Sequence, residues 1–296
     1  MSPDVQALLE ECHFPPPGTH VDLAVSGGPD SLGLLLLARA QGLEVSVHHV
    51  DHHARPTSGL DADFVRTVCA RLDVACVVHD VEVAPGANFE SRARSARRAA
   101  MPAGAMTGHT TDDLVETVLL NMLRGAGVDG MSPMVADPSK PLVDLRRARL
   151  HEFVAASEFA PRHDESNDSA AFQRNRVRHE LLVLMADIAQ RDVVPVLARQ
   201  ALLMHDERVW LDELSGGDRP IDLASADCRV VGQWPTARLR RWLREQLRSS
   251  DEGDGTHPPS AHEVDRALRV VRGEAVATEI SGGRRLARRG QRLTLE

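Results

Sequence analysis

Tyrosine is absent from this 296-residue chain, and lysine occurs once, as Lys140. No Gly-rich loop therefore carries the lysine of a Walker A motif, and phosphate binding of that kind is excluded. Heavy arginine and alanine use beside a single lysine reflects nucleotide bias in the source genome rather than mechanism. The four cysteines (Cys12, Cys69, Cys76, Cys228) have no paired spacing, which argues against a disulfide framework or a Cys-x-x-Cys redox or cluster site. Cys69 and Cys76 fall on helix-like and strand-like runs and read as buried free thiols. No apolar run approaches the about 18 residues needed to span a bilayer. The stretch Met1–Glu11 carries Asp4, Glu10 and Glu11 without a basic leader, so no secretory signal is expected and a cytoplasmic protein is.

Positive charge is also scarce over most of the chain. The net charge is −8, yet from Arg229 onward 14 Arg face 9 Asp/Glu, a net of +5 that leaves −13 for the remainder. Such asymmetry is expected when one region holds chemistry and another touches phosphate. The length accommodates two domains, one with a sizeable core.

What is present is informative locally. Ser26-Gly27-Gly28-Pro29-Asp30-Ser31 lies between a strand-like run, Val21–Val25, and a leucine-rich run, Leu32–Ala40. Strand, tight turn and helix start make a phosphate cradle: the glycines let backbone approach an anion, while the hydroxyls of Ser26 and Ser31 and the first helical amides point at it. Pro29 suits the first helical position and pushes Gly28 into an extended conformation.

The spacing then predicts strands at Leu43–Val50, Val74–His79 and Ala105–His109. It predicts helices at Pro29–Ala40, Asp61–Leu72, Asn88–Ala100 and Thr111–Leu123. This alternation specifies an α/β fold, a parallel twisted sheet with helices on both faces, whose ligands sit at the carboxyl ends of the strands. The clusters Ser26–Ser31, His48–His53 and His109–Asp113 all fall at such ends. Helices are expected at Arg147–Phe159 and Phe172–His205, the latter broken near Pro195. A Gly-, Pro- and Asp-rich linker (Ser215–Pro220) precedes a small C-terminal domain.

In His109-Thr110-Thr111-Asp112-Asp113-Leu114-Val115-Glu116, either threonine can cap the helix and put both aspartates in its first turn. Asp112 and Glu116 share a face at i, i+4, suited to Mg²⁺ or a cationic amine, and Asp113 also suits the helix dipole. His109 faces the loop, where it fits phosphate contact or general-acid work. Arg94, Arg97 and Arg98 share a helical face that suits phosphate or solvent. Arg174 and Arg178 share another face and Arg176 points elsewhere; the pair can straddle a nucleic-acid backbone or form a salt-bridged surface.

In this order the clusters resemble the tRNA(Ile)-lysidine synthetase family of the N-type ATP pyrophosphatases (the PP-loop superfamily). The resemblance is carried by the Ser-Gly-Gly-x-Asp-Ser loop, by HTTDDLVETVLLNMLRGAG (His109–Gly127) with DGM (Asp129–Met131), by NFESRARSARRAA and by DESN…RNRVRHELL. It is strong over residues 20 to 185 and weak beyond them. Arg98, Glu165 and the HHVDHHAR stretch depart from the family pattern.

The resemblance implies a Rossmann-like, adenine nucleotide alpha hydrolase-like fold divided into a PP-loop domain (1–160), a helical connector (161–215) and a basic tRNA-contacting domain (216–296). It implies ATP-dependent ligation of free L-lysine to C2 of the wobble cytidine of a CAU-anticodon tRNA(Ile), through an adenylated cytidine that has left its stack. ATP and Mg²⁺ are the expected cofactors. Ser26, Gly27, Gly28, Pro29, Asp30, Ser31, Gly108, Arg94 and Arg97 are the expected ATP contacts, and Asp30 and Asp112 the metal ligands. The catalytic set is Asp30, His109, Asp112, Asp113 and Glu116; Arg174, Arg176, Arg178, Arg240 and Arg241 would hold tRNA. No membrane association is expected, and a homodimer stays open. The rivals are a tRNA thiolating enzyme, which would need sulfur chemistry, and a nucleotide- or tRNA-binding module without catalysis.

Overall fold

Strand β1 (His20–Ala24) pairs in parallel with β2 (Glu44–Asp51), and β2 pairs in parallel with β3 (Ala75–Asp80). The structure is a computed structural model and describes residues 3–51, 58–81, 96, 99–162, 172–216, 221–251, 255–257 and 259–296. Helix α1 (Pro3–Leu9) precedes the sheet, α2 (Pro29–Ala40) joins β1 to β2, and α3 (Ser58–Arg71) joins β2 to β3. Leucines run round most of α2, and Leu32, Leu34, Leu35 and Leu37 are buried in one core with Val21, Leu23, Val45 and Val47 of the sheet and Val65 and Val68 of α3. Alternate residues of β1 point the other way, so Asp22 lies on the opposite face and receives the His48 ring at 2.9 Å.

The expected fourth strand, Ala105–His109, shrinks to one residue among the described ones. Met106 bridges Leu23 in parallel register, donating to the Asp22 carbonyl and accepting from the Ala24 amide, both at 2.8 Å. The next amide, Thr107, donates instead to the Ser139 carbonyl at 2.9 Å, and the ladder stops. Met106 lies on the side of β1 away from β2, so the chain reverses its direction of travel across the sheet beside β1. A crevice at such a reversal, outside the carboxyl ends of the strands, is where open α/β sheets bind ligands. The expected helix Asn88–Ala100 falls almost wholly outside the described residues.

Helix α4 (Thr111–Leu123) has the bounds that its sequence pattern predicts. Helix α5 (Arg147–Ala155) stops four residues short of the expected Phe159, because the Ser157 amide and hydroxyl both turn back to the Val154 carbonyl. The connector is α6 (Gln173–Arg176), a π-helical turn (Val177–Leu181), α7 (Leu182–Ala189) and α8 (Val194–Gly216). Its break is at Gln190, in the left-handed region with φ 52°. Pro195 does not break a helix but sits in the first turn of α8, where a missing N–H costs nothing.

The chain forms two compact units, Met1–Arg208 and Val209–Glu296. In the second, α9 (Cys228–Val231), α10 (Thr236–Gln246) and α11 (Ala261–Arg272) accompany a short hairpin of β4 (Ser249–Asp251) and β5 (Gly255–His257). An antiparallel meander follows, β6 (Ala277–Ile280), β7 (Arg284–Arg289) and β8 (Arg292–Leu295). Leu239, Leu243, Val264, Val271 and Leu286 are among its core residues. Ser260 caps α11 with Glu263 in a reciprocal capping box. Burial alone would raise the Glu263 carboxyl, but hydrogen bonds from Ser281 and Ser260 outweigh it and bring it down to about 2.

Candidate active site

The Ser26–Ser31 loop joins β1 to α2 at that reversal. Gly28 is the N-cap in extended conformation, with Pro29 at the first helical position. Gly27 has φ +92°, a backbone region open to glycine at little cost. Ser31 ties the turn from inside: its Oγ accepts from the amides of Ser26 and Gly27 at 3.1 and 3.2 Å and donates to the Gly28 carbonyl at 3.0 Å. The first ladder bond runs from the Leu32 amide to the Gly28 carbonyl at 3.0 Å, so the amides of Asp30 and Ser31 have no helical carbonyl to meet and are available to an anion. A brace absent from the sequence reading is Arg162, whose amide donates to the Gly27 carbonyl at 2.9 Å.

Gly108 passes directly over the start of α2. A Cβ there would lie 2.5 Å from the Asp30 carbonyl oxygen and 2.7 Å from its carbon. Backbone, not a flexible side-chain end, would have to yield. Gly108→Ala is therefore expected to cost about 1–3 kcal/mol as an overpacked site. Gly59→Ala, in α3 with open space at its Cβ, should be neutral or stabilising, and urea unfolding of the two variants tests the contrast.

His109 and the start of α4 follow Gly108. The His109 Nδ1 is 2.6 Å from the Thr107 hydroxyl. Thr110 is the N-cap of α4, and Asp113 Oδ2 accepts from its amide at 2.9 Å and its hydroxyl at 2.8 Å.

The other Asp113 oxygen enters an ion-pair cluster. Asp113 Oδ1 accepts from Arg147 Nη2 at 2.7 Å and Arg174 Nη2 at 2.8 Å. Glu116, 0% exposed, accepts from Arg147 Nη1 at 2.9 Å, Arg174 Nε at 2.8 Å, and Arg178 Nε and Nη2 at 2.7 and 3.1 Å. The carboxylate that shares the Glu116 environment is thus Asp113, one turn away at i, i+3, and not Asp112 as the i, i+4 spacing suggests. Burial alone would raise both carboxyls. Arg147 and Arg174, with the Thr110 amide, overcome it at Asp113, and Arg178 and Arg147 overcome it at Glu116, so both sit below the usual carboxylate range. Three guanidiniums meet two carboxylates here, and Asp30, 3.8 Å from Arg147, is a third that balances the charge.

Asp112 turns the opposite way. Its carboxylate accepts from Arg146 Nε at 3.1 Å and from the Arg147 amide at 2.9 Å, and Arg146 also reaches Asp192. Asp30 accepts from His151 Nε2 at 2.7 Å, with Arg147 Nε 3.8 Å from its second oxygen. Arg147 and His151 stand one turn apart on α5 and face the loop, while Leu150 and Val154 of the same helix are buried. The sequence reading missed both; the sole signal was a basic pair at i, i+4 on a helix whose other stripe is apolar.

The remaining expectations divide. Arg174 and Arg178 do share a face, and it is turned onto Glu116; Arg176 points elsewhere and pairs with Glu180, Nη2 to Oε2 at 2.8 Å. Arg240 pairs with Asp265 and Arg241 with Asp212 in the second unit. His48 and His49 serve the sheet: His48 lies between Asp22 and His79, each 2.9 Å away, and the His49 ring is 2.8 Å from the Val25 carbonyl. Arg94, Arg97, Arg98, His52, His53 and the Asp164–Asn167 stretch lie outside the described residues. Among the described residues, no cluster of three or more His, Cys, Asp or Glu side chains is arranged to hold a metal ion, and no helix is long and apolar enough to cross a membrane.

Comparison with known proteins gives a consistent result. The PP-loop domain family matches residues 1–185. The tRNA(Ile)-lysidine synthase of Nocardia farcinica is 33% identical over 297 residues, covering 94% of this chain and 88% of that protein. That of Thermobifida fusca is 31% identical over 292 residues, covering 91% and 89%. That of Solibacter usitatus is 37% identical over 230 residues, 73% of this chain and half of that longer protein. Among solved structures, the U34-tRNA thiolase NcsA from Methanococcus maripaludis superposes with a TM-score of 0.51 at 14% identity, covering 68% of this chain and 76% of that one, a likeness of fold.

Proposed function

Since the chain belongs to the PP-loop family of tRNA(Ile)-lysidine synthases, we propose that it ligates free L-lysine to C2 of the wobble cytidine of a CAU-anticodon tRNA(Ile), consuming ATP. The observation that carries this reading is the meeting of the Ser26–Ser31 loop and the first turn of α4 at one sheet reversal, through the Gly108 crossing and through Arg147, which reaches Asp30, Asp113 and Glu116.

In the first step the cytidine O2 attacks the α-phosphate of ATP and the α–β bond breaks, releasing pyrophosphate. In the second, the lysine ε-amine attacks C2, the C2–O2 bond breaks and AMP leaves. The free amides of Asp30 and Ser31, with the Ser26 hydroxyl, would cradle the phosphates. The Ser31 hydroxyl does not point at the anion as the sequence suggests, because its proton goes to the Gly28 carbonyl and holds the turn. Arg147, raised above its ordinary value by Asp113 and Glu116 although burial opposes this, would stay charged throughout the reaction, and Arg94 and Arg97 would add to it. Asp113 and Glu116 hold that arginine group in place. Asp30, with its second oxygen beyond hydrogen-bond reach of Arg147, and Asp112 are carboxylates of the kind Mg²⁺ takes alongside substrate phosphates. When bound, the ion would neutralise charge on the departing pyrophosphate. The alternative role for Asp30, Asp112 and Asp113 is to hold the ammonium of the incoming lysine, which gives up a proton before its amine attacks C2.

Arg174, Arg176 and Arg178 of the first unit, and Arg240, Arg241 and the basic C-terminal part of the second, would each contact tRNA phosphates. A homodimer would cover Val183, Leu184 and Ile188 of α7, all largely exposed; light scattering on the purified protein tests that pairing.

Purified protein, ATP, Mg²⁺, labelled lysine and tRNA(Ile) bearing CAU should release one pyrophosphate for each lysine incorporated. Pyrophosphate without incorporation would retain the adenylation and remove the lysine assignment. Neither product from folded protein would put a binding module in its place. Incorporation of sulfur would return the thiolating reading, which the cysteine spacing opposes.

A further inference from the structure

One peptide of the Ser26–Ser31 loop is held from outside by Arg162, far along the chain. The Arg162 amide donates to the Gly27 carbonyl at 2.9 Å. Its side chain is pinned in turn, Nε donating to Asp61 Oδ1 of α3 at 2.9 Å. A Cβ on Gly27 would lie 3.3 and 3.5 Å from Phe64 and Val65 of α3 and 3.7 Å from the Arg162 side chain. Arg162 and α3 therefore form one wall against the buried Gly27.

We infer that Arg162 is a positioning residue for ATP, whose amide decides which end of the Gly27–Gly28 peptide faces the phosphates. The consequence for ATP rests on the proposed function; the brace itself does not. The peptide is trans, so the Gly27 carbonyl and the Gly28 N–H point in opposite directions. With the carbonyl fixed on Arg162, the Gly28 N–H turns away from the wall. It meets no acceptor among the described residues, whereas the amides of Ser26 and Gly27 are spent on Ser31 Oγ. Gly28 thus joins Asp30 and Ser31 as a third amide left to an anion.

The brace matters because this peptide lies between two glycines. Turning it over changes only ψ at Gly27 and φ at Gly28, and glycine tolerates both changes. A flipped peptide would present its carbonyl oxygen to the phosphates, replacing a donor by a repelling acceptor. Gly28 has φ −75° and ψ 166°, which any residue adopts, and a Cβ there would meet Ser26 Oγ alone, at 3.7 Å. In the flipped form its φ would be positive, which a residue with a Cβ disfavours. Gly28→Ala is therefore compatible with the braced loop and opposes the flipped one.

The test removes the brace and then compensates for it. Arg162→Pro lacks the N–H, and Arg162→Ala keeps it. The proline variant should raise KM for ATP and Kd for inorganic pyrophosphate by about tenfold, the value of one hydrogen bond of about 1.4 kcal/mol, while KM for lysine changes less than about twofold. Arg162→Ala should stay within about threefold of wild type for ATP. The double variant of Arg162→Pro with Gly28→Ala should bind pyrophosphate more tightly than the product of the two single effects predicts. Mere distortion around position 162 would not be relieved at position 28. In nitrogen-15 NMR of glycine-labelled wild type, with Gly28 assigned through Gly28→Ala, the Gly28 amide should shift when pyrophosphate is added.

Multiplicative losses in the double variant, or a Gly28 amide that pyrophosphate leaves in place, would overturn the inference. If wild-type protein binds neither ATP nor pyrophosphate, the proposed function falls. Hydrogen exchange without ligand still decides the brace: the Arg162 amide should be protected while the Gly28 amide exchanges freely, and an unprotected Arg162 amide would overturn it.

Discussion

Replacing Asp30 by alanine is expected to lower lysine incorporation into tRNA(Ile) by at least about 10²–10³-fold, the scale on which removal of one preorganised charged or polar group from a reacting phosphate or acyl centre is felt. Asp30 is the point where three separate segments meet. It lies in the first turn of α2 within the Ser26–Ser31 loop, its carboxylate receives His151 at 2.7 Å, and its backbone carbonyl lies under Gly108. Its side chain is partly open to solvent and belongs to no apolar core, so the alanine variant should unfold within about 1 kcal/mol of wild type, as partly exposed substitutions away from special backbone usually do. Loss of activity with retained stability is the diagnostic combination. It is checked by pyrophosphate release and labelled-lysine incorporation alongside urea unfolding. Asp30→Asn, which keeps the shape and the hydrogen bond from His151 while losing the charge, should be nearly as inactive. An asparagine variant with near-normal turnover would remove the carboxylate from both metal and ammonium binding.

Glu116→Ala should act in the opposite manner, through the fold. Removing this carboxylate takes one partner from each of Arg147, Arg174 and Arg178 at a point with no solvent exposure. Breaking a buried ion pair by deleting one side typically costs about 3–5 kcal/mol, because the surviving charge stays desolvated. Urea unfolding of the whole chain measures it. A double-mutant cycle with Arg178→Ala should show strong coupling, the double variant losing clearly less than the sum of the two single losses. A Glu116→Ala protein as stable as wild type would mean that water satisfies the arginines.

The same cluster sets a pH dependence. Asp113 and Glu116 have their carboxyls held below the ordinary range in the folded state, so the unfolded chain binds protons there first. Their contribution is fully present above the unfolded carboxylate values of about 4 and is lost as pH falls through the lower folded values. Wild-type stability should therefore fall more steeply below about pH 4 than that of Glu116→Ala, since the variant has less of this contribution to lose. Parallel curves would assign the acid loss to other carboxylates.

The Ser26–Ser31 turn was legible because each of its conformational requirements is local. Gly27 carries a positive φ, Pro29 occupies the first helical position, and Ser31 closes the turn from four or five residues away. Thr111–Leu123 was legible to its ends for the same reason, since its cap and its apolar stripe lie within one segment. The fourth strand was over-read: Ala105–His109 has the composition of a strand, but Ser139, more than thirty residues on, takes the Thr107 amide out of the ladder. The partners of the acidic residues were not legible. Arg147 and His151 lie more than 110 residues from Asp30, and nothing in the spacing of RARLHEFV says which carboxylate they face.

By itself, then, the sequence determined the elements whose information is contained in a few consecutive residues: the cradle, the capped acidic helix, the parallel α/β order and the family. Backbone conformation, capping and hydrophobic periodicity act over one to four turns, and a single chain records them directly. The tertiary structure alone decided that Asp113 rather than Asp112 joins Glu116, that Arg174 and Arg178 turn inward onto that pair, and that the Arg162 amide braces Gly27. Ion-pair partners are chosen by which faces packing brings within about 3–4 Å, a distance at which burial strengthens attraction and makes any unpaired charge costly, and that choice is made only when α4, α5 and α6 come together.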